Sequence, residues 1–276
     1  LGSLGAVVVK SLSVDAWPGN APLRVHELGQ GMINSVGLQG PGISAWIEHE
    51  LPPLLATGAR VVVSIWGRTV ADYEAAADLL ADLPAAVVAV EVNLSCPNTE
   101  AARDLFAHSE SATADVMAAT AGCLRPRWAK LSPNVTDLVP IAAAARSAGA
   151  EAVTLVNTVL GMAIDPETGA YRLGSGPRGG GVSGPGIHPI AVRAVHDVHA
   201  ALPDLPIIGV GGVSSGADAA EMVLAGATGV QVGTATFADP RASARVLREL
   251  GRWAARTDRH RLSDHVGAVH EREQTK

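Results

Sequence analysis

The sequence predicts an α/β fold, a (β/α)8 TIM barrel with its first strand missing from this chain. Three observations predict it. Seven short runs rich in Val and Ile alternate with Ala-rich segments of helical period, a pattern that implies parallel pairing and right-handed crossovers. Gly211-Gly212 and Gly233-Thr234 follow the last two runs, where barrels commonly hold a phosphate against backbone amides. Hydrogen-bonding side chains cluster at the carboxyl ends of the runs, the end at which α/β folds bind ligands.

The strand runs fall at 6–10, 61–66, 87–95, 128–131, 152–157, 206–211 and 229–233. Amphipathic stretches at 70–83, 111–123, 138–148, 190–201 and 216–225 read as the crossover helices, with Gly149 and Gly226 as C-caps. Seven strands are one short of a closed barrel, and a seven-stranded open sheet is the alternative. The chain opens on Leu1 and enters its first run almost at once. The expectation is that roughly 30–40 further residues, one strand and its preceding segment, precede Leu1. No low-complexity linker divides the chain, so residues 1–276 read as one domain. Gly209-Val-Gly-Gly212 lacks the third glycine of a dinucleotide fingerprint and sits too late in the chain to be one.

Composition narrows the function. Net charge is −6 without a dense basic patch, which argues against nucleic-acid binding. No apolar run reaches the ~18 residues of a membrane span, and no secretory pattern opens the chain. Two cysteines, Cys96 and Cys123, make neither a disulfide framework nor a zinc site, and the histidines lack metal-ligand spacing. A reduced, cytoplasmic enzyme without a metal is the expectation. Cys123 reads as a small core hydrophobe, Met162 as packing, and most histidines as surface residues.

Scarce residues point to the site. The only lysines are Lys10, Lys130 and the terminal Lys276, and the first two end apolar runs in a chain that otherwise writes its cations as Arg. Of six asparagines, Asn93, Asn98 and Asn157 lie at or beside strand ends. The richest stretch is Glu91-Val-Asn-Leu-Ser-Cys-Pro-Asn98, where a buried strand stops at Pro97. A thiol flanked by amides suits proton abstraction from a bound polar heterocycle; ordinary turn chemistry is the competing reading.

Seven motifs in order carry a resemblance. They are Gly31-Met-Ile-Asn-Ser-Val-Gly-Leu-Gln39, the Glu91–Asn98 stretch, Lys130-Leu-Ser-Pro-Asn-Val-Thr-Asp137, Leu155-Val-Asn-Thr-Val-Leu-Gly-Met-Ala-Ile-Asp165, Gly180-Gly-Val-Ser-Gly-Pro185, Ile208-Gly-Val-Gly-Gly-Val213 and Val232-Gly-Thr-Ala235. With them the chain resembles the class 1 dihydroorotate dehydrogenases over essentially its whole length, most closely the 1B branch. The resemblance implies an FMN-bearing barrel that oxidises dihydroorotate to orotate in pyrimidine biosynthesis, with Cys96 as the base and an alkaline optimum. It assigns Asn34, Asn93, Asn98, Asn157 and Thr158 to the pyrimidine, joined by the loop Ser35, Val36, Gly37 and Leu38. It places Lys10 between cofactor and substrate carboxylate, and Lys130 at the flavin's pyrimidine end. Ser11, Ser64, Asn93, Val156 and Gly184 match further FMN contacts, and Gly211, Gly212, Gly233 and Thr234 the phosphate cradle. It also implies a homodimeric core and a separate subunit carrying FAD and an iron–sulfur cluster.

The chain departs from the family pattern in three places. The first loop is missing, Trp66 stands where relatives have something small, and the stretch 99–108 looks helical where relatives carry a glycine-containing lid. Two other functions compete: a dihydropyrimidine dehydrogenase-like flavin barrel acting on uracil-type rings, and an inactive barrel that binds a phosphate ligand or a partner.

Overall fold

The computed structural model describes residues 1–94, 106–257 and 261–273. Eleven strands lie among them in chain order: β1 Val7–Val8, β2 Val25–Leu28, β3 Gly31–Asn34, β4 Val61–Ile65, β5 Val87–Asn93, β6 Arg127–Lys130, β7 Ala152–Leu155, β8 Val159–Gly161, β9 Gly180–Ser183, β10 Ile207–Val210 and β11 Gly229–Gln231. The helices are α1 Ile43–His49, α2 Leu51–Ala56, α3 Val70–Asp78, α4 Glu110–Ala119, α5 Val139–Ser147, α6 His188–Ala201, α7 Gly216–Ala225, α8 Ala235–Ala238, α9 Ala242–Ala254 and α10 Ala268–Glu273.

All seven expected strands form, and they pair in parallel in the order β1-β4-β5-β6-β7-β10-β11. That order never reverses. A doubly wound sheet must reverse at a switch point, so this sheet winds in one direction, as a barrel does. One hydrogen bond establishes that it curls. Gln231 on β11 donates to Glu91 on β5 at 3.0 Å. Four strand spacings separate these strands, about 19 Å if the sheet were flat, beyond the reach of two side chains. Among the described residues no strand covers the outer edges of β1 and β11, so the expected eighth strand is not supplied from within them.

The strands form where β-branched residues run unbroken. All five residues of β4, Val-Val-Val-Ser-Ile, are buried, as strands covered on both faces require. Helices α3 to α7 pack Tyr73, Ala76, Val116, Met117, Ile141, Ala145, Val195, Val198, Ala219 and Met222 against them. Cys123 is part of this core, and burial pushes its thiol above the usual range. Small Ala side chains let the helices lie close to the sheet, which explains how the core fills with few aromatics.

Sequence signals also set helix starts. Thr69 accepts from the Asp72 N–H and Asp72 returns the bond to Thr69, a capping box at α3. Ser215 and Asp218 repeat it at α7, and Ser109 caps α4. Gly226, at φ 131°, closes α7, and the Cβ of any other residue there would meet the His199 ring at 2.3 Å.

Two expectations are corrected. A second, antiparallel sheet, in the order β2-β3-β9-β8, is built from segments not expected as strands, β3, β8 and β9 from the motif stretches and β2 from outside them. Met162 does not pack: it is 49% exposed beyond β8, alongside exposed Leu160, Ile164 and Tyr171. Most of the described histidines are not buried; His188 and His265 are, each held by a hydrogen bond. Of the stretch 99–108, only Phe106–His108 is described, as a 3-10 turn. Among the described residues no helix is long and apolar enough to cross a membrane.

Asp218 makes the α7 start sensitive to pH. Burial opposes its ionisation, but hydrogen bonds from the N–H and hydroxyl of Ser214 and from Ser215 outweigh it and hold the carboxyl below the usual range. Such a group stabilises the fold above its unfolded value of about 3.9, and that contribution is lost as pH falls through the folded value. Asp218→Asn should therefore cost about 1 kcal/mol near neutrality, the usual worth of a cap. Urea denaturation at stepped pH should find that deficit shrinking toward pH ~3.

Candidate active site

The strand ends converge on a chain of neutral hydrogen-bonding groups. Ser11 and Ser64, beyond β1 and in β4, share a hydrogen bond of 2.9 Å. Asn93, the last residue of β5, donates from Nδ2 to the Ser11 hydroxyl at 3.2 Å, and Asn157 donates to Asn93 Oδ1 at 3.3 Å. Thr158 N–H donates to Asn157 Oδ1 at 2.8 Å. Tyr73, buried on α3, donates its hydroxyl to the Asn93 carbonyl at 2.7 Å and so holds the end of β5 from behind. Asn93, Asn157, Ser11 and Ser64 are thus brought together from four segments. Each has donor and acceptor capacity to turn toward a heterocycle with alternating carbonyl and N–H groups.

One layer deeper lies a charged cluster that sequence reasoning left without a role. Glu91 stands two residues before Asn93, on the same face of β5, and is 1% exposed. Its Oε1 accepts from Ser64 at 3.3 Å and lies 3.4 Å from Lys130 Nζ. Its Oε2 accepts from Thr154 Oγ1 at 3.1 Å and from Gln231 at 3.0 Å. The two-residue alternation of β5, which places Glu91 on the face of Asn93, is the signal that could have found it; nothing local marks Thr154 or Gln231 as its partners.

The other expected residues form a wall and a floor. Asn34, on β3, donates to the Gly181 carbonyl at 3.3 Å. The Thr158 hydroxyl lies 2.1 Å from where a Gly181 Cβ would stand, so only glycine admits that approach. The loop after Asn34 is pinned by Asn20, whose Nδ2 donates to the Ser35 carbonyl and whose N–H donates to that of Val36. Trp17 donates to Gly37, and Gly37 and Leu38 both take positive φ. Ser35 is buried with no partner for its hydroxyl among the described residues. Lys10 lines a cavity of about 890 Å³ with Trp17, Gly40 and Trp46. Trp66 is buried edge-on against Trp17, with centroids 5.8 Å apart, and so fills space beside the site. Ser95, Cys96 and Asn98 lie outside the described residues.

The glycines lie together at the ends of β10 and β11. A Cβ on Gly212 would meet the Gly184 carbonyl at 2.7 Å, which brings the β9 turn against this loop. Val156 N–H donates to Val210 at 2.7 Å from the neighbouring strand end. Among the described residues no protein acceptor takes the N–H of Gly212, Gly233 or Thr234, and a Cβ on Gly233 would meet open space. Free amides beside open space are the donor set an anion needs. His188 was not anticipated: its Nδ1 lies 2.8 Å from the Gly211 carbonyl, which can only accept, and its Nε2 lies 3.2 Å from Glu221.

The donors around Glu91 are open to test. Thr154→Val removes one without changing shape, and leaving a buried carboxylate short of a donor should cost about 1–3 kcal/mol in urea denaturation. Gln231→Leu should cost a similar amount and, by releasing β11 from β5, should also loosen hydrogen-exchange protection in β11.

A family model described as dihydroorotate dehydrogenase matches residues 1–253. The chain is 45% identical over 248 residues to the dihydroorotate dehydrogenase B (NAD(+)) catalytic subunit of Alkaliphilus metalliredigens, and 46% identical over the same length to that of Alkaliphilus oremlandii. Each of these matches covers 90% of this chain and 80% of the relative. It is 43% identical over 270 residues, 98% of the chain and 88% of the relative, to a Solibacter usitatus protein with the provisional name dihydroorotate dehydrogenase A (fumarate). Oxidoreductases of this kind are flavin-dependent. With a parallel barrel, polar strand ends and this degree of identity along almost all its length, the chain belongs to the dihydroorotate dehydrogenase family.

Proposed function

We propose that the oxidation of dihydroorotate to orotate, the activity for which the family is named, runs in this chain with FMN as hydride acceptor and Cys96 as base. The observation that carries this reading is the Ser11–Asn93–Asn157 hydrogen-bonded chain at the strand ends, with Lys130 opposite Asn93 on the neighbouring strand. Neutral amides match a dihydropyrimidine ring edge for edge, and the Lys130 cation beside them suits a flavin's pyrimidine end.

The residues fit FMN. Gly184, Gly211, Gly212, Gly233 and Thr234 would hold its phosphate through backbone amides; Ser11, Ser64, Asn93, Val156 and Lys130 would face the ring. FMN when bound supplies the hydride acceptor. Cys96 follows Asn93 by three residues in the sequence, and in this reading it takes the C5 proton of the substrate. A free thiol titrates near ~8.5, so the rate rises with pH as thiolate forms. Asn34, Asn93, Asn98, Asn157 and Thr158 hold the ring in plane, with the Ser35–Leu38 backbone as a wall. Lys10 pairs with the substrate carboxylate.

The chain as one domain, a homodimer in solution and a cytoplasmic setting belong to the same reading. The exposed apolar edge of Leu160, Met162, Ile164 and Tyr171 supports a second copy docking there. Two relatives named as catalytic subunits support a separate electron-transfer subunit, with FAD and an iron–sulfur cluster as its carriers.

Two experiments test the roles. In stopped-flow, Cys96→Ala should retain flavin yet slow its reduction by dihydroorotate at least ~10²-fold, with Cys96→Ser between the two; near-normal reduction would remove Cys96 from the role. Lys130→Ala should weaken FMN binding or lower the flavin's potential, whereas Lys10→Ala should mainly raise the KM for dihydroorotate. Equal loss of flavin in both variants, with KM unmoved, would contradict this division.

A further inference from the structure

Glu91 is a charged side chain at the centre of the barrel with no part in the chemistry proposed above. Its carboxylate is 1% exposed, and its four lone-pair directions are filled from four strands: Ser64 on β4, Lys130 on β6, Thr154 on β7 and Gln231 on β11. Three of these donors are neutral and one is a cation. Barrel interiors are ordinarily filled by branched apolar side chains, and a buried ion pair is rarely more stable than the apolar packing that could replace it. The carboxylate therefore stands where stability alone does not call for it.

Lys130 differs from its partner in one respect. Its side chain is 20% exposed, against 1% for Glu91, so the ammonium lies between the buried carboxylate and the open strand ends. The 3.4 Å separation is longer than the ~2.8 Å of a tight charge-assisted hydrogen bond. The ammonium is held by Glu91 without being spent on it. Among the described residues its other N–H directions meet no protein acceptor and are left for what enters from above.

We propose that Glu91 is a positioning residue: a buried counter-ion that fixes Lys130 beneath the cofactor and sets how much positive charge the cofactor meets. This rests on the reading of Lys130 as an FMN contact. A flavin gains negative charge at its pyrimidine end on reduction, so a bare ammonium there favours the reduced form. With Glu91 ionised, the pair is close to neutral, and the preference for reduced over oxidised FMN is moderated. Fast turnover needs that moderation, because the same cofactor must give its electrons up again.

The test is a spectroscopic reductive titration of the FMN-loaded protein against a reference dye. Glu91→Gln keeps the size and hydrogen-bonding capacity of the side chain and removes its charge. The expected result is a midpoint raised by at least ~30 mV, a tenfold gain of reduced over oxidised FMN binding for a two-electron couple. An unmoved or lowered midpoint, with only flavin content or melting temperature reduced, overturns the proposal and leaves Glu91 as a structural residue. In a Lys130→Met background the Glu91→Gln shift should shrink; an equal shift in both backgrounds overturns action through Lys130. If Glu91→Gln does not fold, Glu91→Asp, which keeps the charge but draws it back from Nζ, should move the midpoint the same way by less, and no shift overturns the proposal. Wild-type protein that takes up no FMN overturns the FMN reading and this role together. A fixed midpoint in FMN-loaded Glu91→Gln overturns this role alone.

Discussion

The hydrogen bond from Gln231 to Glu91 joins strands that stand four places apart in one sheet, and it exists only because the sheet closes on itself far enough to bring β11 over β5. Parallel register sets what meets there. Ser64 lies opposite Glu91 across β4 and β5, Lys130 opposite Asn93 across β5 and β6, and Thr154 opposite Lys130 across β6 and β7, so Lys130 and Thr154 reach back to a carboxylate two residues earlier on β5. Asn93, two residues beyond Glu91 along β5, lies nearer the mouth. A one-residue slip of β5 would turn both Glu91 and Asn93 outward. The charged layer and the amide layer above it therefore depend on the same register.

That arrangement divides the molecule by task. The outer face of the sheet and helices α3 to α7 carry the apolar burial, with Ala allowing close approach and capping boxes at Thr69 and Ser215 fixing helix starts. The inner face near the carboxyl ends gives up apolar packing for hydrogen-bonded polar groups. Glu91 there is satisfied by neighbours from four other strands, and Asn93 by Ser11 beyond β1 and Asn157 beyond β7, so this part of the site is preorganised by the fold. Tyr73 shows the link between the two: its ring packs in the helix–sheet core and its hydroxyl anchors Asn93.

The strands and crossover helices were legible because each rests on local physics. Unbroken Val/Ile runs ending in polar residues can be buried on both faces only as parallel strands, and Thr69 and Ser215 announce helices without help from elsewhere. The antiparallel sheet was not legible. Its strands are three or four residues long, and β3, β8 and β9 carry Gly31, Gly161, Gly180 and Gly181, which have no side chains to form a period-two pattern. Helices α1 and α2 are short and meet at Glu50, with Pro52 and Pro53 in the first turn of the second helix. In the site, Asn93, Asn157 and Lys130 stand out by scarcity and strand-end position, whereas Ser11 and Ser64 are marked only by the family resemblance.

By itself the sequence determined the α/β alternation, the singly wound order and the strand ends at which polar chemistry gathers. Hydrophobic period and turn residues act over ten or twenty positions and need no knowledge of distant segments. Only the tertiary structure decided which polar groups meet. Glu91 and Gln231 are 140 residues apart, and Glu91 and Thr154 are 63. Their contact depends on strand register and on how tightly the sheet curls. Those quantities are set jointly by every pair of neighbouring strands, and no single stretch of the chain contains them. Tyr73, His188 and Gln231 carried no local signal for the same reason.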